Sequence, residues 1–364
     1  MWLLPSTFLF FSIISIFTYN VVAWILLKTR WDPLDWDSTT RWQENCAAFL
    51  FCHLLPACVW LNLACVLCLK HVWWFYLPYC AFCLLSDNEH KGGLPMQWWR
   101  NSRFAEYIAG YYSSKIVLHN EANTFSSEKN YLIGYHPHGV AAVGCLTNFA
   151  LHSRDFKNLF SGIRIRVATL NFNLRIPFLR HVLLFMGCIS CNASSIKASL
   201  NDLSRGGNSA VVVVVGGARE AHHANNCAKI ILSKRTGFFK LGLQTGADLV
   251  PVFCFGESML YRIERPKSMF LLDAVSVFTK KRFGFVIPCF FGRGFFQSRF
   301  GWLTHKTPLN LVLGDPIHCP KLADPSDEDI DNVKQEYCRV LEEMFHRHKQ
   351  VLCNSSGELS LEIL

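Results

Sequence analysis

The stretch Asn130-Tyr-Leu-Ile-Gly-Tyr-His136-Pro137-His138-Gly139-Val140 decides the fold. Its first half is a short apolar run that predicts a buried strand, and two histidines and a turn follow it. The apolar run from Val140 to Leu151 then predicts a helix. Because a helix N-terminus carries partial positive charge, it disfavours imidazolium and keeps a nearby histidine neutral. A neutral imidazole is what a general base needs, so this turn is the candidate active site.

The two histidines allow other interpretations besides catalysis. They fit a solvated turn or a buried pair as well, and H-x-H spacing suits a metal, although no third or fourth ligand follows at a recognisable spacing. We expect no metal. Pro137 suits a strand exit, and Gly139 leaves room for a substrate beside the backbone. We expect His138 to be the base, because it is nearer the predicted helix, and His136 to brace the turn.

The composition indicates a protein that is partly embedded in a membrane. The 364 residues are 51% hydrophobic and 17% charged, whereas soluble domains contain about a quarter charged residues. The uncharged run from Trp2 to Leu27 is long enough to cross a bilayer, which takes about 20 residues. Apolar runs from Cys46 to Leu69 and from Val72 to Leu85 predict a hairpin that dips into the bilayer. The expected organisation is a transmembrane segment at 1–30, a polar link and membrane hairpin at 31–87, and a main domain at 88–364.

The charged residues indicate partners and orientation. Net charge is +9, but no basic run interleaved with aromatic residues is present, so a membrane surface and a phosphate-bearing substrate are favoured over nucleic acid. Lys28 and Arg30 follow the first apolar run, and the positive-inside rule then places the main domain in the cytosol. Most of the 16 cysteines lie in or beside apolar runs, where we expect them to act as small hydrophobic side chains.

Beyond residue 91, strand and helix patterns alternate, which indicates an α/β domain with a mixed, mostly parallel sheet flanked by helices. Val211 to Val215 are five consecutive valines, which is typical of a central strand buried on both faces. Helices are expected at Gly237–Leu243, ending at Gly246, and after the capping residue Ser326. The predicted strands are Tyr131–Tyr135, Arg164–Leu170, Ala210–Val215, Leu249–Phe255 and Leu309–Leu313.

A second part of the site follows the strand Ala210–Val215. Gly216 and Gly217 allow a tight turn, and the charged pair Arg219 and Glu220 comes directly after it. Because ligands of open α/β sheets bind outside the carboxyl ends of strands, we expect this pair and the two histidines to face one crevice. A Glu220 carboxylate that accepts a hydrogen bond from an imidazole would fix its tautomer. The alternative is a surface ion pair between Glu220 and Arg219.

The segment Tyr135-His-Pro-His-Gly-Val140 resembles the signature of the type 2 diacylglycerol acyltransferase family, which also holds monoacylglycerol and wax alcohol acyltransferases. The resemblance runs in order from about Trp31 to the C-terminus. It includes the Gly-Gly-x-x-Glu pattern that ends at Glu220, the block Arg235-Thr-Gly-Phe238, and Val250-Pro-Val-Phe-Cys-Phe-Gly256-Glu257. It implies a fold like that of the glycerolipid acyltransferases.

Two departures from related patterns are visible. Gly242 stands where the family block has alanine. The broader glycerolipid acyltransferases place an aspartate five residues after a histidine, and this chain has Ala141 and Val143 at the two corresponding positions. The orienting carboxylate must therefore come from elsewhere, and Glu220 is the candidate. A G-x-S-x-G sequence is also missing, which disfavours a serine hydrolase.

The resemblance implies which residues are functional. His138, His136 and Glu220 take the catalytic positions. Arg235 and Lys240 suit the phosphates of coenzyme A, because cationic side chains pair with phosphate oxygens, although both also fit helix-face cations in water. The positions implied to bind substrate or coenzyme A are Pro137, Gly139, Gly216, Gly217, Arg219, Arg235, Gly237, Phe238, Lys240 and Glu257.

The resemblance therefore implies an acyl-CoA:diacylglycerol O-acyltransferase, with monoacylglycerol or a long-chain alcohol as alternative acceptors. Acyl-CoA is a co-substrate, and no cofactor is expected. The implied setting is the endoplasmic reticulum membrane, with several membrane segments and a cytosolic acyltransferase domain; attachment to lipid droplets and self-association as a homo-oligomer stay open. A polytopic transporter or scaffold is the alternative of another class, but the apolar segments end near residue 86.

Overall fold

The computed structural model describes residues 42–121, 125–152, 156, 159–202, 208–217, 220, 227–263, 290–296, 298, 301–352 and 360–364. The predicted transmembrane segment at 1–30 and the first part of the polar link lie outside these residues, and so does Arg219. The described strands form one large sheet and two small ones. Helices cover both faces of the large sheet.

Three helices precede the sheet, namely α1 (Trp42–Cys52), α2 (Leu54–Leu67) and α3 (Leu69–Leu85). The predicted run Cys46–Leu69 is broken at His53, because Pro56 has no N–H to donate to the carbonyl of Cys52. Within the described part of the chain, no single helix is long and apolar enough to cross a bilayer. Helices α1 and α2 pass that test together, across a bend of 52°.

Helices α2 and α3 turn many large apolar side chains outward. A side chain that faces water would normally be polar at so many positions, so this surface needs another environment. The membrane hairpin remains a prediction that this exposure motivates. The exposed residues include Leu55, Val59, Leu63, Trp73, Trp74, Phe75, Leu77 and Phe82.

The strands of the described residues are β1 (Lys115–Leu118), β2 (Tyr131–His136), β3 (Arg164–Thr169), β4 (Cys188–Ser190), β5 (Ser209–Val214), β6 (Cys227–Ile230), β7 (Asp248–Phe255), β8 (Arg262–Ile263), β9 (Phe290–Phe291), β10 (Asn310–Leu313) and β11 (Ser360–Ile363). Seven of them form the large sheet, in the order β1-β10-β7-β2-β5-β3-β4. Strand β2 lies between β5 and β7 and runs parallel to both, while β10 pairs with β7 in the antiparallel sense. The predicted mixed, mostly parallel sheet is confirmed.

All five predicted strands are present, and their ends differ from the prediction by no more than one residue. The two missed strands of the large sheet, β1 and β4, are only four and three residues long, which is too short for a clear pattern. The other helices are α4 (Gln97–Arg100), α5 (Arg103–Tyr111), α6 (Val143–Cys145, followed by a π-helix over Leu146–Ala150), α7 (Leu179–Phe185), α8 (Ala193–Asn201), α9 (Thr236–Thr245) and α10 (Asp327–Leu352).

Strand β2 is buried on both faces. Tyr131 and Ile133 pack into a core with residues of α5 and the π-helix, whereas Leu132 packs into a second core with residues of α8, α9 and α10. Successive side chains of a strand point to opposite faces, so the run of apolar residues supplies both cores. The site at the end of β2 is therefore held between two packed layers.

Both helices predicted in the second half of the chain are confirmed. Helix α9 ends at Gly246, which adopts a φ of +68°. Helix α10 begins after Ser326, whose hydroxyl accepts a hydrogen bond from the N–H of Asp329 at 3.1 Å, while the Asp329 carboxylate accepts from the N–H of Ser326 at 2.9 Å. This reciprocal capping fixes the start of the helix that reaches the site from behind.

Candidate active site

Strands β2 and β5 are parallel neighbours, with Tyr135 opposite Val214. Their carboxyl ends therefore meet at one edge of the sheet, as the sequence predicts. The histidine turn, which we define as residues 136–139, leaves β2 there, and Gly216 and Gly217 follow the end of β5 beside it. The two halves of the predicted site are adjacent.

Glu220 lies in the middle of this edge and is buried. Its Oε2 accepts a hydrogen bond from the backbone N–H of His138 at 2.8 Å, and its Oε1 accepts one from the N–H of Ile231 at 2.8 Å. The expected bond from the carboxylate to an imidazole is not formed: both described hydrogen bonds of Glu220 come from backbone donors, and Nδ1 of His138 lies against the carbonyl oxygen of Gly139 instead. Burial raises the pKa of Glu220 to about 7. The residue holds the histidine through its backbone.

The Gly216 turn and Glu220 depend on each other. A Cβ built on Gly216 would lie 1.6 Å from Oε1 of Glu220, so a larger residue requires the carboxylate to move. Gly217 adopts a φ of +65°, which glycine accepts without strain. Nη2 of Arg235 donates to the carbonyl of Gly216 at 2.6 Å. The glycine pair thus serves to place the carboxylate, and Arg235 holds the turn.

His138 is half-buried at the sheet edge. Its Nδ1 lies 3.1 Å from the carbonyl oxygen of Gly139, an acceptor, so Nδ1 carries the proton and donates it there. Nε2 then holds the lone pair, and it makes no hydrogen bond with any described residue. Burial lowers the pKa of His138 below its usual value, and the charge of Arg235 adds to this. The ring is neutral near pH 7 and can accept a proton at Nε2.

His136 is fully buried beneath the turn, and the peptide bond between it and Pro137 is cis. Its Nε2 lies 3.0 Å from the hydroxyl of Tyr337, and its Nδ1 is buried without a hydrogen-bond partner. Burial lowers the pKa of His136 to about 3. A ring that is such a weak base, and that is closed off from the sheet edge, suits a bracing role better than proton abstraction.

The helix after the turn begins at Val143, three residues later than the predicted Val140, because Ala142 takes a left-handed conformation with a φ of +48°. Its first amides do not face the histidines. The N–H groups of Val143 and Gly144 each donate to the carboxylate of Glu257 at 2.8 Å. The prediction that helix amides keep His138 neutral is therefore wrong, and burial performs that role instead.

Glu257 is thus a buried residue that caps the helix. The resemblance had implied a substrate-binding position instead. The hydroxyl of Tyr135 also donates to Glu257 at 2.8 Å, and burial raises its pKa to about 7. Gly139 adopts a φ of +56°, and a Cβ there would lie 2.8 Å from Cγ of Glu257. The space that a Cβ would take at Gly139 is therefore filled by this carboxylate, and the role of Gly139 in substrate binding stays a prediction. The chain signals no such contact, because more than a hundred residues separate the partners.

The remaining predicted positions lie on α9. Phe238 is buried, and its ring centroid lies 5.7 Å from that of Tyr337, so it belongs to the core. Gly237 is exposed, and a Cβ there would meet nothing within 4 Å. Nζ of Lys240 lies 3.9 Å from the exposed carboxylate of Asp324, a loose surface pair. Of the two predicted cations in this segment, Arg235 precedes α9 and binds the Gly216 turn, whereas Lys240 points to the surface.

Comparison with known proteins decides the family. The sequence model of the family described as diacylglycerol acyltransferase matches residues 65–362. The chain belongs to the diacylglycerol acyltransferase family. The predicted resemblance and the prediction of an enzyme of this family are confirmed. The family also accounts for the continuous order of the blocks from the histidine turn to α10.

Members of the diacylglycerol acyltransferase family from distant organisms resemble most of this chain. Diacylglycerol O-acyltransferase 1 of Schizosaccharomyces pombe is 36% identical over 303 residues, which cover 80% of this chain and 85% of that protein. Diacylglycerol O-acyltransferase 2 of Dictyostelium discoideum is 32% identical, with 85% and 92% covered. 2-acylglycerol O-acyltransferase 1 of Bos taurus is 32% identical, with 89% and 96% covered.

Among solved structures, the 1-acyl-sn-glycerophosphate acyltransferase of Thermotoga maritima aligns with a TM-score of 0.35 and 14% identity, over 74% of this chain and 89% of that one.

One departure from the family pattern has a structural reason within this chain. A Cβ on Gly242 would lie 2.7 Å from Cδ2 of Leu249, so the alanine of the family block would require Leu249 to move between α9 and β7 here.

Proposed function

We propose that the protein transfers an acyl group from acyl-CoA to the hydroxyl of an acylglycerol, with diacylglycerol as the preferred acceptor and triacylglycerol as the product. Family membership and the names of the relatives support the reaction class. The observation that carries the mechanism is the His138 ring, which presents an unprotonated Nε2 at the sheet edge while its backbone is held by Glu220.

In this mechanism Nε2 of His138 removes the proton from the acceptor hydroxyl. The hydroxyl oxygen attacks the thioester carbonyl, the C–S bond breaks, and the imidazolium returns the proton to the departing thiolate of coenzyme A. The Nδ1–H bond to Gly139 keeps the ring in the required tautomer. Arg235 stands close enough to the turn to contribute positive charge towards the phosphates of coenzyme A. The products are an ester and free coenzyme A.

The acceptor is the part of this proposal that most needs an experiment. Relatives carry names for both diacylglycerol and 2-acylglycerol acceptors, so an acylglycerol is the common feature. Membranes containing the protein would be supplied with labelled acyl-CoA and, separately, diacylglycerol, monoacylglycerol or a long-chain alcohol. We expect most label in triacylglycerol. A larger yield of diacylglycerol or wax ester would change the acceptor, and no ester with any acceptor would end the proposal.

We also propose that the protein acts at the endoplasmic reticulum membrane as a multi-pass protein with a cytosolic acyltransferase domain. The exposed apolar residues of α2 and α3 support membrane contact, and this hairpin would deliver the lipid acceptor from the bilayer. The sequence contains the glycosylation sequon Asn354-Ser-Ser356. We expect it to stay unmodified in microsomes, since attachment of a glycan to Asn354 would require a lumenal domain.

The pKa of Glu220 predicts how activity depends on pH. The carboxylate accepts two N–H bonds, and it titrates at about 7 instead of 4.5 because it is buried. Protonation turns one acceptor oxygen into a donor, so we expect turnover to fall as the pH drops below about 7.

The stability of the fold changes with pH in the opposite direction. The folded state binds the proton of Glu220 more tightly than the unfolded state does, so the contribution of this carboxyl group to stability is lost as the pH rises from 4.5 to about 7.

Glu220→Gln imitates the protonated form at every pH. We expect its turnover at pH 8 to be lower than that of the wild type, but by less than the effect of removing the base, and to change little between pH 6 and 8. Glu257→Gln is the matched control, because that carboxyl group has the same raised pKa but caps a helix. Turnover of Glu257→Gln should still fall as the pH drops below about 7, and we call this fall the acid limb of the pH profile. An acid limb that survives unchanged in Glu220→Gln would contradict the assignment.

A further inference from the structure

Tyr337 enters the back of the site from helix α10. Its side chain is fully buried, and its hydroxyl donates to the carbonyl oxygen of Gly134 at 3.2 Å and lies 3.0 Å from Nε2 of His136. A Cβ built on Gly134 would lie 2.0 Å from this hydroxyl. Strand β2 thus has a glycine at the point where the last long helix inserts a polar group. Burying a hydroxyl in an apolar core costs free energy unless the hydroxyl forms hydrogen bonds, so the position of Tyr337 depends on its bonds to Gly134 and His136.

The hydrogen bonds of Tyr337 fix the state of His136. A tyrosine hydroxyl has one proton, and the carbonyl of Gly134 can only accept, so that proton is used there. The hydroxyl oxygen must then accept from His136, and Nε2 of His136 carries the proton. The lone pair is left on Nδ1, which is buried without a partner. The ring is therefore held in one tautomer and one orientation from the helix side.

We infer that Tyr337 is a positioning residue for acyl transfer. By binding Gly134 and His136 it fixes the exit of β2, and two residues later the backbone N–H of His138 is fixed by Glu220. The base is then held at both ends of the histidine turn. This inference rests on the proposed function, because Tyr337 acts through His138.

A purely structural role is the competing explanation, since Tyr337 also packs against Phe238 and Phe239 in the core of α9 and α10. Tyr337→Phe separates the two, because it keeps the ring and removes the hydroxyl. Tyr131→Phe is the matched control: Tyr131 lies on the same strand, is equally buried, and donates its hydroxyl to the carbonyl of Ser126, also at 3.2 Å. It lies about 16 Å from the turn, at the other end of β2.

We expect the two variants to lose similar amounts of thermal stability. Only Tyr337→Phe should lower kcat, by roughly 10-fold to 100-fold, because a displaced turn moves the base relative to the reacting atoms. The KM for acyl-CoA should not change, since Tyr337 lies behind the turn and not at the sheet edge. A kcat of Tyr337→Phe that matches Tyr131→Phe, once corrected for folded protein, would overturn the inference.

A double variant tests whether Tyr337 acts through His138. In a His138→Ala background, adding Tyr337→Phe should lower the residual turnover no further, because the group being positioned is gone. A further fall of the same size as in the wild-type background would also overturn the inference. The proposed function fails separately, if the wild-type protein forms no ester with any acceptor. Normal turnover in both His138→Ala and His136→Ala would reject the histidine mechanism, and the role of Tyr337 with it. A low His138→Ala rate together with a normal Tyr337→Phe rate rejects only the role of Tyr337.

Discussion

His138→Ala is expected to lower turnover by about 10²-fold to 10⁴-fold, which is the usual contribution of a general base. The KM for acyl-CoA should change little, because the lost group acts on the hydroxyl of the acceptor. The neutral ring, its free Nε2 and its position at the sheet edge all favour this residue over the deeply buried His136. The measurement is the initial rate of labelled ester formation at saturating acyl-CoA, at matched expression and membrane content.

His318→Ala is the matched control for this experiment. Its ring is exposed, pairs with Asp248 at 3.0 Å, and lies away from the histidine turn, so its loss should leave turnover near normal. Near-normal turnover in His138→Ala would move the base to His136. Near-normal turnover in both single variants would end the histidine mechanism.

Gly216→Ala is expected to have the second-largest effect, although the residue performs no chemistry. The added methyl group would fall 1.6 Å from Oε1 of Glu220, so the carboxylate must leave its place. The N–H groups of His138 and Ile231 then lose their acceptor, and each unpaired buried donor costs about 1–3 kcal/mol. We expect the free energy of unfolding to fall by about 2–6 kcal/mol, the sum for the two donors. Turnover should fall by about 100-fold, since the base is displaced.

The control for Gly216→Ala is Gly237→Ala, which adds the same methyl group in a site where nothing lies within 4 Å. Thermal unfolding of the purified protein should show normal or slightly higher stability for Gly237→Ala, because alanine favours a helix over glycine. A Gly216→Ala protein with wild-type melting temperature and turnover would show that Glu220 does not need its observed position.

Local sequence patterns predicted the sheet well. The buried strands carry apolar runs that end in glycine or histidine turns, and such runs specify a strand without help from distant residues. The edge where β2 and β5 end together was predictable too, because parallel strands in α/β folds place their carboxyl ends on one side. The meeting of His138 and Glu220 follows from that rule alone.

The contacts inside the site could not be predicted in the same way. Glu220 could bind either the ring or the backbone of His138. Which one it binds depends on the exact backbone and side-chain angles of the turn, and the order of residue types in the sequence does not reveal these angles. The cap that Glu257 places on Val143 joins residues from two strand ends that are far apart in sequence. In the sequence, the only sign of this cap is the acidic residue after strand β7, and an acidic residue there suits a substrate-binding role equally well.

The contact between Gly134 and Tyr337 spans 203 residues, and this separation affects when the enzyme becomes active during its synthesis. Translation proceeds at about 5–20 residues per second, so strand β2 emerges roughly 10–40 s before helix α10. During that interval the histidine turn lacks the helix that holds it from behind. An unfinished chain on the ribosome would therefore have an incomplete site. If Tyr337 positions the histidine turn as we infer, full activity is expected only after α10 has docked.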